Sequence, residues 1–424
     1  IDGNTQRNLE LVASMGDKSK RGTLLGVLDK TFTSMGARKL RQWILHPLID
    51  VDAIRARLAA VEAFFNDGEA RMRLRNALKS VADLERLLGR ITAKSGNARD
   101  VKALGRSLGG VPALRDGIGA YEAPLLRELF EDMDELRDVA EWIERAIVDE
   151  PPLAVTEGDF IQDGYDAELD RLRGLVRGGR DWIATLRNEE RARTGIQNLK
   201  IAYNKVFGYY IEVSRGNVGL VPADYERKQT LVNAERYVTP ALKAREEEIL
   251  TAQERMQTLE YELFAALRDR IAAEARRIQE TADAIATLDV VLALAEVASN
   301  KAYCKPEVDT DGVLHIREGR HPVVEDLMRA GDFVPNDTLL DPNAAAMQIV
   351  TGPNMAGKST YLRQVALIAL MAQMGGYVPA AAAHVGVVDR IFTRVGASDN
   401  LVRGESTFMV EMIETANILN AATR

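Results

Sequence analysis

Between Pro240 and Pro306 the chain runs for 65 residues without a glycine or a proline. These two residues are the strongest breakers of a helix, so a run of this length, rich in Ala, Leu, Arg and Glu, constrains the fold more than any other stretch. Met256, Leu259, Leu263, Leu267, Ile271, Ile278 and Ile285 recur within it at spacings of 3, 4, 4, 4, 7 and 7, one apolar stripe along a helix. A helix using about 45 of these residues would be about 70 Å long at a rise of about 1.5 Å per residue, longer than a globular domain is wide. A second helix is expected from near Asp166, where Leu169, Leu172, Val176, Ile183 and Leu186 form another stripe. One helix running out near 166–190 and one returning near 245–295 read as paired levers carrying something at their tip. An ordinary coiled-coil hairpin whose tip is only a connector is the alternative.

The tip changes period. Leu199, Ile201 and Tyr203 alternate, as do Tyr209, Ile211 and Val213. Between them Asn204–Lys205–Val206–Phe207–Gly208 supplies a turn with a residue free to take positive φ, so a β-hairpin is expected. The alternation also places at least one of Tyr209 and Tyr210 in a core. The tip is basic as well: residues 191–243 hold nine Lys/Arg against four Asp/Glu, a balance of +5. The whole chain carries −8, and residues 301–424, with 11 basic against 14 acidic groups, carry −3. Bulk charge alone argues against a nucleic-acid partner, but its distribution sets one basic module in an acidic frame.

A chain of 424 residues is long enough for two to four domains. Residues 1–150 read as helical, Glu150–Pro151–Pro152 as a break, and Gly158 and Gly164 as brackets of a short hairpin or loop. Residues 301–350 resume strand-like pieces, Val313–Ile316 and Met347–Val350, which marks a domain of α/β type. With 46% hydrophobic and 28% charged residues, general disorder and collagen-like repeats are excluded, and no apolar run approaches the about 18 residues that read as a membrane span. The single cysteine, Cys304, excludes a disulfide framework or a Cys-rich zinc site and fits a reducing cytoplasm. The four histidines His46, His315, His321 and His384 leave little material for a metal centre. The sequence opens on Ile1 with neither an initiator Met nor a signal-peptide pattern, which reads as the start of an excised fragment.

Gly352–Pro353–Asn354–Met355–Ala356–Gly357–Lys358–Ser359 matches G-x-x-x-x-G-K-[ST], after the apolar run Met347–Val350 and before a Gly-free apolar helix expected from about Thr360 to Met374. Phosphates concentrate negative charge, which exposed backbone N–H groups and the positive end of a helix can cradle. The glycines let the backbone come close, Lys358 would bridge the β- and γ-phosphates, and the Ser359 hydroxyl would ligate Mg²⁺. Hydrolysis needs a further carboxylate to hold Mg²⁺ and the attacking water. The candidate after the loop, Val385–Gly386–Val387–Val388–Asp389, is short, Gly-interrupted and followed by Arg390, so Asp389 reads as a structural strand end and no catalytic residue is assigned.

Thr351–Thr360 (TGPNMAGKST), Ser406–Met412 (STFMVEM), Gly319–Glu325 (GRHPVVE), Arg390–Gly396 (RIFTRVG) and Gly208–Arg215 (GYYIEVSR) closely resemble the MutS family of DNA mismatch repair ATPases, in order and across essentially the whole chain. The resemblance implies a multidomain α plus α/β architecture: a helical core with the outgoing lever over 1–189, a small β-containing basic clamp over 190–245, the returning lever helix over 246–300, and a partial P-loop NTPase domain over 301–424. It implies ATP and Mg²⁺ as cofactors, held by Gly352 to Thr360 with Ser359 on the metal. Phe333 and Asn336 resemble the adenine-contacting segment, although Phe333 read alone would be a core residue. Ser406 looks like the loop that reaches the other subunit's nucleotide in a homodimer; read alone, Ser406–Thr407 would be a helix cap. His321 reads as structural.

For the clamp, the resemblance implies contacts to the phosphate backbone of double-stranded DNA without sequence readout, with Lys205, Arg215, Lys228 and Arg236 as candidates. The implied whole is an ATP-dependent mismatched-DNA sensor and sliding clamp, cytoplasmic, with a downstream partner of MutL type. The family's mismatch-reading and connector domains would precede Ile1, and its acidic metal-binding strand and dimerisation elements would follow Arg424, so neither mismatch reading nor ATP turnover is expected of this stretch alone. Two competing readings are an SMC-like structural ATPase that bridges DNA, which should show sustained heptads and a hinge at the tip, and a MutS paralogue without a mismatch domain, which usually lacks the GYYIEVSR segment.

Overall fold

The computed structural model describes residues 1–204, 208–329, 331–353, 356–394, 412, 415–416 and 418–422, leaving aside the side chains of Val155 and Arg180. Six helices carry the main packing: α1 (Ser34–Leu45), α2 (Val51–Asn66), α3 (Ala167–Thr194), α4 (Pro240–Ala273), α5 (Ala275–Lys301) and α6 (Lys358–Gln373). Eight strands form two sheets, β1 (Lys200–Asn204), β2 (Gly208–Ser214), β3 (Glu226–Thr230) and β4 (Ala234–Val238) in one, and β5 (Glu307–Asp309), β6 (Leu314–Gly319), β7 (Asn336–Leu340) and β8 (Ala382–Gly386) in the other. The molecule is thus mostly helical with small sheets, and no described helix is long and apolar enough to cross a membrane. The described chain divides into two units, residues 1–89, 106–137 and 274–424, and residues 90–105 and 138–273.

In the first unit α5 is the centre of the core. From Ala284 to Ala295 every position is buried, as expected for a helix that is apolar all round, and α1 and α2 lie against it with Leu40, Trp43, Ile44, Leu58, Val61 and Phe64 inside. The one acid in that stretch, Asp289, is fully buried and spends its carboxylate on the start of α1. It accepts the N–H groups of Phe32 (3.0 Å) and Thr33 (2.8 Å) and the Thr33 hydroxyl (2.7 Å). Burial nevertheless holds its pKa above the usual carboxylate range.

The sheet of this unit runs β5-β8-β6-β7, with β5 parallel to β8 and the other pairs antiparallel. The expected strand Val313–Ile316 is part of β6. The expected strand Met347–Val350 is not formed. A tight turn bridging Asp341 and Ala345 precedes it, no described strand pairs with it, and Met347 and Ile349 are 81% and 85% exposed. An apolar segment becomes a buried parallel strand only with neighbours on its flanks.

In the second unit α3 and α4 lie side by side, and Gly179 meets Ile249 while Arg173 meets Glu260, so the two run antiparallel. Their 28 and 34 residues make them about 42 and about 51 Å long. The single helix of about 45 residues expected from the sequence is divided: Glu274, with φ −93° and ψ 11°, separates α4 from α5, and the boundary between the two units falls there. Glu260 is 1% exposed and accepts the N–H groups of Asp159, Phe160 and Ile161 (each 3.0 Å) together with the Arg173 guanidinium (2.9 Å). It fastens the segment after the Pro151–Pro152 break to the helix pair.

Between α3 and α4 the first sheet runs β1-β2-β4-β3, antiparallel throughout. β1 and β2 pair as the alternation predicts, with Tyr203 opposite Tyr209, while residues 205–207 of the turn lie outside the described residues. Its core is Leu186, Ile196, Leu199, Ile211, Val213, Tyr225, Tyr237 and Leu242, with Tyr209 packed against it, and Tyr210 is also buried. The chain leaves the turn through Gly208 at φ +75°. There Glu246 of α4 approaches so closely that a side chain at 208 would collide with its carboxylate, and that carboxylate accepts the Tyr209 N–H at 2.8 Å. Glycine alone satisfies both demands.

Candidate functional site

The phosphate-loop motif leads directly into α6. Gly357 caps the helix in the left-handed region (φ +85°) and Gly352 has φ +149°, so the backbone turns in a way only glycine takes without strain. The first N–H groups of α6, which have no intrahelical partner, face this turn. Lys358 is half-buried and its ammonium donates back to the loop carbonyls of Gly352 and Pro353, the latter at 2.8 Å. A cavity of about 760 Å³ lies alongside, lined by Ala356, Gly357, Lys358 and Thr360 of the loop and helix start and by Phe333 and Asn336 from before the loop. Gly352, Pro353 and Ser359 are exposed but do not line it, and Asn354, Met355 and Ser406 lie outside the described residues.

Phe333 is half-exposed at the cavity wall and not a core residue as its type alone suggests. Asn336 opens β7, its amide donating to the Val334 carbonyl at 3.0 Å. Sequence reasoning missed Tyr361 and Gln348, which also line the cavity. The Tyr361 hydroxyl stands 3.1 Å from the Gln348 amide oxygen and 3.0 Å from the Thr338 hydroxyl, tying the helix to β7 and to the segment before the loop. The signal was present, since Tyr361 sits three residues after Lys358 and so shares its helical face.

Two residues stand apart from this cavity. Asp389 lies beyond the end of β8 and lines a smaller cavity of about 180 Å³ with Ile1, His46 and Gln373. His321 is buried, and its Nδ1 accepts the Val324 N–H at 3.3 Å at the start of the short helix Pro322–Leu327. Burial, reinforced by the charge of Arg363, pushes its pKa down to about 4, so it is neutral and structural.

On the small sheet and the helix end beside it, four of the nine cations of residues 191–243 are held in ion pairs. Arg236 meets Glu212 at 3.1 Å and Gln229 at 2.9 Å and lies over the Tyr210 ring. Lys228 meets Glu226 at 2.6 Å, Arg227 meets Glu235 at 3.7 Å, and Arg193 is held by Glu190 and Asp224. Lys200, Arg215 and Lys243 are exposed and have no ion-pair partner among the described residues. Beside Arg215, Asn198, Ser214 and Asn217 form a hydrogen-bonded polar group with contacts of 2.9 to 3.3 Å. Lys205 lies outside the described residues.

Comparison with known families covers both regions of the chain. The model for MutS domain III matches residues 4–295 and that for MutS domain V matches residues 348–424. The chain belongs to the MutS family. Among its relatives, the DNA mismatch repair protein MutS of Ruminiclostridium cellulolyticum is 52% identical over 424 residues, all of this chain and 49% of that protein. The protein of the same name from Symbiobacterium thermophilum is 52% identical over 423 residues, covering 48% of its length, and that from Acetivibrio thermocellus is 51% identical over 423 residues, covering 49%. The chain therefore spans about half the length of the curated relatives it matches. The domain III match contains the small basic sheet and the helices on either side of it, and the domain V match begins at Gln348, at the wall of the cavity.

Proposed function

We propose that this chain is the part of a MutS-type DNA mismatch repair protein that holds ATP and grips duplex DNA. The observation that carries the nucleotide reading is the cavity at the start of α6, which Lys358, Gly357 and Thr360 line together with Phe333 and Asn336 around a volume of about 760 Å³, within the range of about 300–1,000 Å³ common to small-molecule sites. The donor set suits the group: backbone N–H groups and Lys358 for the phosphates, the Phe333 ring for stacking on the base, and the exposed Ser359 hydroxyl beside them for Mg²⁺. Mg²⁺ held there would supply charge neutralisation of the phosphates. No described residue lining the cavity is a carboxylate, so the proposal for this stretch is nucleotide binding and not hydrolysis.

The DNA grip rests on the sheet β1–β4. The exposed cations Lys200 of β1, Arg215 just after β2 and Lys243 in the first turn of α4, with the Asn198–Ser214–Asn217 group, suit phosphate contacts, and Lys205, which lies outside the described residues, is proposed with them. The fuller reading takes 1–189 and 246–300 as core and levers, 190–245 as clamp and 301–424 as a partial P-loop domain. In it the protein acts as a homodimer in the cytoplasm, with Ser406 reaching the partner's nucleotide and a MutL-type protein downstream. An SMC-like bridging role is disfavoured by what joins α3 to α4, a four-stranded sheet with its own core and not a hinge between sustained heptads. Titration with a fluorescent ATP analogue in the presence of Mg²⁺ tests the pocket. Lys358→Ala should weaken binding at least about tenfold, a loss of about 1.4 kcal/mol, with helix content unchanged; equal affinity in the two proteins sinks the assignment.

A further inference from the structure

Away from the nucleotide cavity and the small basic sheet, one group of side chains serves neither nucleotide nor DNA. Parallel pairing of β5 with β8 sets Glu307 opposite His384, Asp309 ends β5, and Asp311 follows in the turn toward β6. Nε2 of His384 stands 2.9 Å from Oδ2 of Asp311 and 3.3 Å from Oδ2 of Asp309, and its Nδ1 stands 3.7 Å from Oε2 of Glu307. The donor atoms of Asp309, Asp311 and His384 all lie within 4.8 Å of one another. Both aspartates are held in place by their other oxygen: Oδ1 of Asp309 accepts the Asp311 N–H at 3.1 Å and Oδ1 of Asp311 accepts the Val313 N–H at 2.8 Å. Three carboxylates thus surround one imidazole, and no described lysine or arginine pairs with any of them. A singly charged imidazolium offsets only part of that charge, whereas a divalent ion with the neutral ring offsets more.

We propose that His384, Asp309 and Asp311 form a binding site for a divalent cation of the zinc class. Zinc binds His nitrogen at about 2.0–2.1 Å and carboxylate oxygen at about 2.0–2.2 Å, so donors around a tetrahedral ion stand about 3.3 Å apart. The separations of 2.9 and 3.3 Å approach that spacing without movement of either strand. One imidazole among two carboxylates favours a borderline ion over Mg²⁺ or Ca²⁺, which take six or more oxygen donors. Glu307 stands behind the ring, 3.7 Å from the far nitrogen and outside hydrogen-bond distance; a side-chain movement of under about 1 Å would place it where a carboxylate orients a ligating histidine. The ion would fasten β5 and the β5–β6 turn to β8, residues more than 70 positions apart in sequence. A count of four histidines gave no hint of this, because the strand pairing and not the sequence spacing brings the donors together.

The test is calorimetric titration of Zn²⁺ into the chelator-treated chain. One site is expected, with His384→Ala and the double variant Asp309→Asn/Asp311→Asn each weakening it at least about tenfold, and with Zn²⁺ raising the thermal midpoint of the parent chain but not of the variants. X-ray absorption on the zinc-loaded parent chain, which needs no variant to fold, should report one imidazole nitrogen with oxygen neighbours. A sulfur neighbour, which would place the ion at Cys304, unchanged affinity in His384→Ala, or no binding below millimolar Zn²⁺, which would leave an imidazole–carboxylate ion pair only, overturns the proposal.

Discussion

Glu260 and His321 show how single buried polar groups hold this molecule, one charged and one neutral. Glu260 satisfies three backbone N–H groups and the guanidinium of Arg173, itself only 5% exposed. Removing one partner of a buried pair leaves the other charge uncompensated and costs about 3–5 kcal/mol. Glu260→Ala should therefore lower the unfolding free energy by about that amount in urea denaturation, whereas a loss under about 1 kcal/mol would mean the pair is not formed. His321 works in the opposite sense. Its folded pKa of about 4 lies below the unfolded value of about 6.5, so the unfolded chain binds the proton more readily. Its contribution is complete above about pH 6.5 and is lost progressively as the pH falls toward 4, about 3 kcal/mol over the window at about 1.4 kcal/mol per unit. His321→Asn, which keeps a capping acceptor, should flatten the acid side of the stability–pH curve, and an unchanged slope would contradict the neutral buried ring.

At the scale of elements, legibility followed the presence of local signals. The stripes of α3 and α4, the β1–β2 alternation and the glycine turn into α6 are all written in residue spacing, and the structure has each of them. The break at Glu274 was not legible, because neither glycine nor proline marks it and it falls where the chain passes between units. Met347–Val350 misled for the complementary reason: apolar β-formers specify a strand only when neighbours pair with them. The cations of the small sheet divide in the same way. Type and count made Arg236 and Arg215 equivalent, but cross-strand register sets Arg236 opposite Glu212 and leaves Arg215 exposed. Arg215→Ala should weaken duplex binding for every sequence alike and reduce the salt slope by about 1. Arg236→Ala should chiefly lower the stability of the sheet. The opposite assignment of effects in a salt-series titration would mean that the contact face is misplaced.

For the whole molecule, the net charge of −8 first spoke against nucleic acid, and its division along the chain pointed to the +5 of residues 191–243. The structure divides those cations: Arg193, Arg227, Lys228 and Arg236 are held in ion pairs, whereas Lys200, Arg215 and Lys243 are exposed with no ion-pair partner among the described residues. Family membership was legible because its motifs are local strings, and the cavity joins two of them, the loop at 352–360 and the segment at 333–336. The zinc-class site was not legible, because its donors come from strands far apart in sequence. We propose that one chain holds a nucleotide and a DNA duplex and that each affects the other through the long helices. The most direct test is the affinity of the chain for a fully paired DNA duplex, with and without saturating ATP and Mg²⁺, for the parent chain and Lys358→Ala. Salt-sensitive binding that nucleotide shifts by about fivefold or more in the parent chain and not in the variant is expected; binding that ignores both salt and nucleotide would contradict the coupling.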